Sequence, residues 1–239
     1  MKELDKILSK TRQAVQKYDM IMDGDTVAVG VSGGKDSLTL LYALSKLRLF
    51  YPAKFKVLGI TVDLGFDGVD YTGVKDLCDE LDVEYHVIST EIADIIFKYK
   101  KDDSPCSLCA MMRRGALNNA ALEYGANKIA LAHHLDDVAE TVLMKLLFEG
   151  NFGCFQPVTE YEDKKISIIR PFIYVREGSI KYFCNSAGLP VVFNPCPADG
   201  HTQRENAKKF LRESEREHKG TYNRILGALE RSSFDMWHK

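Results

Sequence analysis

A short stretch, Val27-Ala-Val-Gly-Val-Ser-Gly-Gly-Lys-Asp-Ser-Leu38, limits what this chain can fold into more than any other. Val27, Val29 and Val31 alternate as a buried strand does, and Leu38, Leu40, Leu41, Leu44 and Leu47 follow in a helical run. Between them Ser32, Gly33 and Gly34 turn the chain. A strand, a glycine turn and a helix N-terminus form an anion site: glycine lets backbone approach, unpaired N–H groups point outward, and the helix dipole favours negative charge. The common nucleotide P-loop requires a glycine, four residues and then Gly-Lys-Ser/Thr. Here Lys35 is followed by Asp36, so that motif is absent.

The rest of the chain supplies a sheet for this turn. Phe55 to Asp63 reads as a second strand, residues 84–89 as a third and Lys128 to Ala132 as a fourth. Helical periodicity runs over 3–19, 69–82, 177–187, 202–218 and 221–234, and Val191 to Phe193 reads as a short strand. Strands alternating with helices predict an α/β fold, a parallel twisted sheet with helices on both faces, plus N- and C-terminal helices. We expect one domain over 1–239: an N-terminal helix over 1–20, an α/β core over 25–195 and C-terminal helices over 196–239. In such sheets ligands lie at the carboxyl ends of the strands. Three of those ends carry polar groups: the glycine turn, Asp63 and His133.

Composition narrows the compartment and the partners. No segment approaches the length of a membrane span, and Met-Lys-Glu-Leu-Asp lacks the layout of a signal peptide, so a cytoplasmic protein with no membrane partner is expected. A net charge of −2 excludes a uniformly basic nucleic-acid binder but leaves local patches: Lys98 to Lys101, Lys164 with Lys165, and Arg204, Lys208, Lys209, Arg212 and Arg216. Each is equally a solvated face mixed with acidic neighbours. Six cysteines in such a chain point to metal binding or catalysis before disulfides.

Cys106 and Cys109 open a helix behind Pro105 and run on to Arg113, Arg114 and Gly115. A C-x-x-C at a helix start serves zinc, a redox dithiol or an iron–sulfur cluster. Structural zinc usually wants a second pair, which this chain lacks. Cys78 and Cys184 sit on apolar helical stripes and read as packing, and Cys154 lies in a loop. Cys196, between Pro195 and Pro197, is the candidate third ligand. Beyond the fourth strand, His133-His-Leu-Asp-Asp137 leads a helix whose Asp136, Asp137, Glu140 and Thr141 form one face and whose Ala139, Val142, Leu143, Leu146 and Leu147 form the other. An acidic face there suits Mg²⁺ and base activation, or is merely solvated.

Ser32-Gly-Gly-Lys-Asp-Ser37 resembles the PP-loop of the N-type ATP pyrophosphatases, whose fold is adenine nucleotide α-hydrolase-like and which cut ATP between its α and β phosphates. With the Cys106–Cys109 pair running into Arg113, the His133-His-x-Asp-Asp137 strand end and the late Cys196, the chain from Met20 to Glu215 resembles the TtcA branch of the tRNA thiolases. It is also similar to the TtuA branch. The resemblance implies an enzyme that adenylates the C2 oxygen of a pyrimidine in tRNA and replaces it with sulfur. The acceptor would be an anticodon-loop cytidine for TtcA and a uridine for TtuA. It implies ATP, Mg²⁺ and a 4Fe–4S cluster on Cys106, Cys109 and Cys196. It further implies a tRNA partner, a sulfur donor (sulfide, or persulfide from a cysteine desulfurase) and a homodimer.

Residue by residue, the resemblance places ATP against Val31, Ser32, Gly33, Gly34, Lys35, Asp36, Ser37, Val62, Asp63 and His133. It gives catalytic roles to Asp63, Arg113, Asp136 and Asp137, with Phe66, Phe152 or Phe155 as stacking partners for the base. Two features depart from the relatives: the zinc ribbons of the TtuA branch are missing, and Cys196-Pro-Ala-Asp-Gly stands where many TtcA enzymes carry a second C-x-x-C. Other acceptors keep the loop chemistry, including a small molecule or an amine as in lysidine-type ligases. A non-catalytic sensor that only binds ATP is the reading furthest from an enzyme.

Overall fold

A computed structural model of the chain describes residues 2–99, 105–161, 165–197, 203–232 and 237. Its centre is a six-stranded sheet in the order β3-β2-β1-β4-β6-β5. β1 (Thr26–Gly30), β2 (Lys56–Asp63), β3 (Glu84–Ser89), β4 (Lys128–Ala130) and β6 (Ile166–Ile169) run parallel, and β5 (Val158–Tyr161) pairs antiparallel with β6 at one edge. The last two strands were not legible as sequence. Each has four residues, and β6 gains its meaning only by pairing with β4. The expected strand at Val191 to Phe193 is not in the sheet. Those residues are irregular, and the Val192 N–H donates to the Gly33 carbonyl at 2.9 Å.

Strand alternation divides the core. Val27, Val29 and Val31 face the larger apolar cluster, shared with α1 (Lys2–Lys17), α2 (Lys35–Leu47), α3 (Thr72–Glu80), α6 (Leu135–Met144) and α7 (Glu177–Ser186). Ala28, Leu58, Ile60 and Ile129 face the opposite side, where Ala120 and Ala121 of α5 (Pro105–Glu123) cover them. Between β3 and α5 lies α4 (Ile92–Asp94), which continues as a π-helical turn over Ile95–Tyr99. A sheet buried on both faces is why its central strands are nearly continuous in Val, Ile and Leu.

Two C-terminal helices, α8 (Gln203–Glu217) and α9 (Thr221–Arg231), pack against α6. Trp237 is fully buried; its ring stands edge-on to Tyr18, and its indole N–H donates to the Phe155 carbonyl. One expectation fails in α6. The winding changes to a π-helical turn over Lys145–Glu149, which rotates Leu146 and Leu147 off the apolar stripe and leaves Leu147 63% exposed. No helix of the described residues is long and apolar enough to cross a membrane.

Candidate active site

Because β1, β2 and β4 are parallel, their carboxyl ends open on the same side, and there the chain enters α2 and α6. The turn after β1 is held from within. The Ser32 N–H donates to Ser37 Oγ at 3.1 Å, the Ser37 hydroxyl donates to the Gly34 carbonyl at 3.0 Å, and Gly34 N–H reaches Ser32 Oγ at 3.4 Å. Gly34 is the N-cap of α2 and no side chain caps it, so the first N–H groups of a thirteen-residue helix face the site. Gly33 adopts φ +80°, and a Cβ there would stand 2.7 Å from Val192 Cβ. Only glycine fits a left-handed position so closely roofed. Val31 contributes no side chain to the site. It is buried in the core, its N–H donates to the Ile60 carbonyl, and its carbonyl accepts from Thr61 Oγ1.

A cavity of about 200 Å³ lies beside the loop. Ser32, Gly34, Val62, Asp63 and Arg113 line it, and Phe66, Phe193, Asn194 and Pro195 continue its wall. Asp63 closes an Asx turn, its Oδ1 accepting the Gly65 N–H at 3.1 Å, while still bordering the cavity. Phe193, 79% exposed, stands at the cavity where the sequence reading had named Phe66, Phe152 and Phe155. Phe155 packs elsewhere: its ring lies 4.8 Å from His133.

The strand-end histidines divide their work. His133 Nδ1 accepts from Arg170 Nε at 3.3 Å, and burial followed by the Arg170 charge pushes its pKa down to about 4. His134, the second histidine of the His133-His-Leu-Asp-Asp137 stretch, is the buried N-cap of α6. Its Nδ1 accepts the Asp137 N–H, the Asp137 carboxylate accepts the His134 N–H, and its Nε2 stands 3.8 Å from Asp36 Oδ1. This is a capping box in which histidine replaces the usual serine or threonine.

The acidic face of α6 is neither solvated nor open. Asp136, 5% exposed, pairs with Arg176 at 3.1 Å and accepts the Glu177 N–H at 2.8 Å. That geometry makes it a tie between α6 and the start of α7. Arg204 of α8 covers Asp137 at 3.4 Å and Glu140 at 3.7 Å. Glu140 is 2% exposed, its Oε1 has no hydrogen-bond partner, and burial followed by the Asp137 charge pushes its pKa up to about 7.

Lys35 Nζ reaches Asp36 at 2.8 Å and Glu177 Oε1 at 3.2 Å. Burial works against the Lys35 charge, but these carboxylates outweigh it and hold the pKa above its ordinary value. Glu177 was missed as a site residue. A glutamate at the first helical position signals a helix start but not its distant partners.

The thiols fall into two sets. Cys78, Cys154 and Cys184 are buried, and burial pushes the first two up to about 12. Cys106 is exposed at the start of α5, and Cys109 and Cys196 are half-buried. Burial raises the Cys109 thiol, Arg113 lowers it, and the thiols of Cys196 and Cys106 raise it further, so these three side chains share one electrostatic neighbourhood. Among the described residues, no three His, Cys, Asp or Glu side chains stand in a ready metal-holding arrangement.

A PP-loop domain model matches residues 4–214. The tRNA-cytidine(32) 2-sulfurtransferase of Geobacter sulfurreducens is 37% identical over 227 residues, 94% of this chain and 88% of that protein. The chain belongs to this PP-loop family of tRNA-cytidine 2-sulfurtransferases. A second member, from Geobacter metallireducens, is 37% identical over 231 residues, 95% of this chain and 90% of its own. Among solved structures, the U34-tRNA thiolase NcsA from Methanococcus maripaludis, determined with its 4Fe–4S cluster, superposes with a TM-score of 0.75 at 25% identity. That match covers 95% of this chain and 79% of the thiolase. Ser32 to Ser37, which resembles the PP-loop motif, lies within the matched span.

Among the basic clusters expected to meet nucleic acid, Arg204 and Lys208 turn inward onto carboxylates, and Arg212 stands beside Glu177. Lys209 and Arg216 of the same helix are exposed, as is Lys165. The side chains of Lys98 to Lys101, and Lys164, lie outside the described residues.

Proposed function

We propose that this protein is an ATP-dependent tRNA sulfurtransferase that exchanges the C2 oxygen of a cytidine for sulfur, releasing AMP and pyrophosphate. One observation carries the reading. A single cavity is bordered on one side by the PP-loop and on the other by Arg113, Asn194 and Pro195, the neighbours of Cys109 and Cys196. Activation and sulfur delivery need that adjacency, because the activated base must be attacked before water reaches it.

In the first step the base oxygen attacks the α-phosphorus, the bond to the bridging oxygen breaks, and pyrophosphate leaves with the electron pair. The N–H groups of Gly33, Gly34 and Ser37, the hydroxyls of Ser32 and Ser37 and the Lys35 ammonium would hold the β and γ phosphates. Asp36 would take the Mg²⁺ that accompanies ATP, Val62 and Asp63 would border the nucleotide, and His133 and Asp137, at the end of β4 and the start of α6, would bound the phosphate side. In the second step sulfur attacks C2 and AMP departs with the former base oxygen. Arg113, between cavity and thiols, offsets the charge that develops there. Phe66 and Phe193 are placed to stack on an unstacked base.

The donor set suits an iron–sulfur cluster: the three thiols open to solvent act on one another electrostatically, while the remaining cysteines are buried. Cys106, Cys109 and Cys196 would hold it. When bound, it supplies a place to keep sulfide and hand it over. A cytoplasmic homodimer fed by sulfide or by the persulfide of a cysteine desulfurase completes the reading. Sedimentation of the purified chain tests the dimer.

The deciding experiment is anaerobic reconstitution with iron and sulfide, incubation with unmodified tRNA, ATP and Mg²⁺, and mass spectrometry of the digested nucleosides. 2-Thiocytidine together with stoichiometric AMP supports the proposal. 2-Thiouridine in its place would move the chain to a uridine acceptor. No AMP with any tRNA would remove the enzymatic reading.

A further inference from the structure

Two cations of α8, Lys208 and Arg212, stand against a carboxylate, while Lys209 and Arg216 of the same helix are exposed. Lys208 Nζ stands 3.0 Å from Glu177 Oε1, the same oxygen that Lys35 Nζ approaches at 3.2 Å, and Arg212 stands 3.7 Å from Oε2. Lys35 opens α2 and Glu177 opens α7, so two positive helix ends meet at one carboxylate. Counting Asp36, which also pairs with Lys35, three side-chain cations face two carboxylates. Lys208 and Arg212 thereby stand beside Lys35 at the start of α2, where an anion would bind. Glu177 feels the cations strongly: burial would raise its carboxyl, yet Lys208 and Lys35 together carry it down to about 2.

We propose that Lys208 and Arg212 are pyrophosphate-binding residues. With Lys35 they hold the β and γ phosphates of ATP, and then the pyrophosphate, when the bond from the α-phosphorus to the bridging oxygen breaks. The electron pair of that bond stays on pyrophosphate, so its charge grows where the cations stand. Glu177 keeps the three cations gathered when no phosphate is present. The inference rests on the reading that this chain cuts ATP between its α and β phosphates.

Titration calorimetry with Mg-pyrophosphate and, separately, with AMP tests it on the full chain without tRNA or thiolation. Lys208→Ala should weaken pyrophosphate binding about tenfold or more, and Arg212→Ala, whose side chain is more exposed, about three- to fivefold, as expected for charge-assisted contacts. AMP binding should stay unchanged, and Lys208→Arg should restore most of the loss. Unchanged pyrophosphate affinity in both variants, with filter-bound tRNA reduced instead, would overturn the assignment and make α8 an RNA surface. Equal loss of AMP and pyrophosphate with a lowered melting temperature would overturn it in favour of a brace. Arg212→Ala guards against a Lys208 variant that fails to fold. A native chain that binds no pyrophosphate would overturn both this inference and the ATP reading. One that binds it through Lys208 yet thiolates no tRNA would leave this inference standing alone.

Discussion

The two halves of the site are built by different means. The nucleotide half is made by the fold: parallel strands end together, an uncapped helix begins, and internal hydrogen bonds shape the loop before any ligand arrives. The thiol half is made of an exposed helix start and an irregular segment, with Cys106 exposed and Cys109 and Cys196 half-buried. No disulfide or ready ligand set joins them among the described residues. Preorganised dipoles are worth most where charge develops, and that is the nucleotide half. A ligand set that has to be gathered instead couples cluster binding to local folding. The halves touch where the Val192 N–H meets the Gly33 carbonyl, four residues before Cys196.

The largest expected effect tests that division. Cys109→Ser should abolish thiolation and strip bound iron while leaving ATP affinity within about twofold, since no nucleotide contact rests on the thiol. ATP affinity falling together with iron would mean that the halves are one unit. Gly33→Ala comes next and strikes the seam. The new methyl would meet Val192 at 2.7 Å on a backbone at φ +80°, a combination of left-handed strain and overpacking. ATP binding should weaken about a hundredfold or more, equivalent to roughly 3 kcal/mol. Iron content should fall as well if displaced Val192 carries Cys196 with it. Iron retained at the native level would show that the two halves move independently.

The same division decided what could be read in advance. The PP-loop was legible because its chemistry is local, with strand, turn and helix contiguous from Val27 to Leu47. The ion pairs of Glu177 with Lys35 and Lys208 join residues far apart in the chain, and no periodicity reports such meetings. Asp136 shows the limit most plainly. Its spacing on α6 suits a Mg²⁺ face and an inter-helix tie equally, and the pairing with Arg176 is not readable from that spacing. The β5–β6 edge was illegible for another reason: β6 is a strand because β4 is beside it. Residues 191–193 failed in reverse: Val191, Val192 and Phe193 are β-prone residue types but have no ladder to join.

Preorganisation of the nucleotide half should carry a measurable cost at Glu140. Its folded pKa is raised to about 7 from an ordinary 4.5, so the folded chain keeps a proton that the unfolded chain releases as pH rises between those values. The stability this contributes is fully present below pH 4.5 and is lost as pH climbs through 7. Glu140→Gln should therefore gain about 1–3 kcal/mol over the native chain at pH 8 and little at pH 5, measured by urea unfolding. His133, lowered to about 4, acts in the opposite sense, with stability lost as pH falls from 6.5 through 4. It is present in both proteins, so the difference isolates Glu140. An equal change at both pH values would mean that pairing with Arg204, and not burial of charge, governs the site.

The smallest effect sharpens the thiol half by exclusion. Cys154 follows an Asn151-Phe-Gly153 loop and reads in the sequence as an available ligand. In the fold it is buried, its Sγ stands 3.7 Å from the Val138 carbonyl, and burial holds its thiol up to about 12. A thiol so protonated and enclosed makes a poor ligand, because metals bind the thiolate. Cys154→Ala should leave iron, acid-labile sulfide and thiolation at native levels and cost only about 1 kcal/mol of stability, the ordinary cost of a small core deletion. Loss of iron in this variant would place a fourth thiolate on the cluster. All four irons of a 4Fe–4S cluster would then have a protein thiolate, and the contrast between a built nucleotide half and a gathered thiol half would have to be drawn through Cys154 instead of Val192.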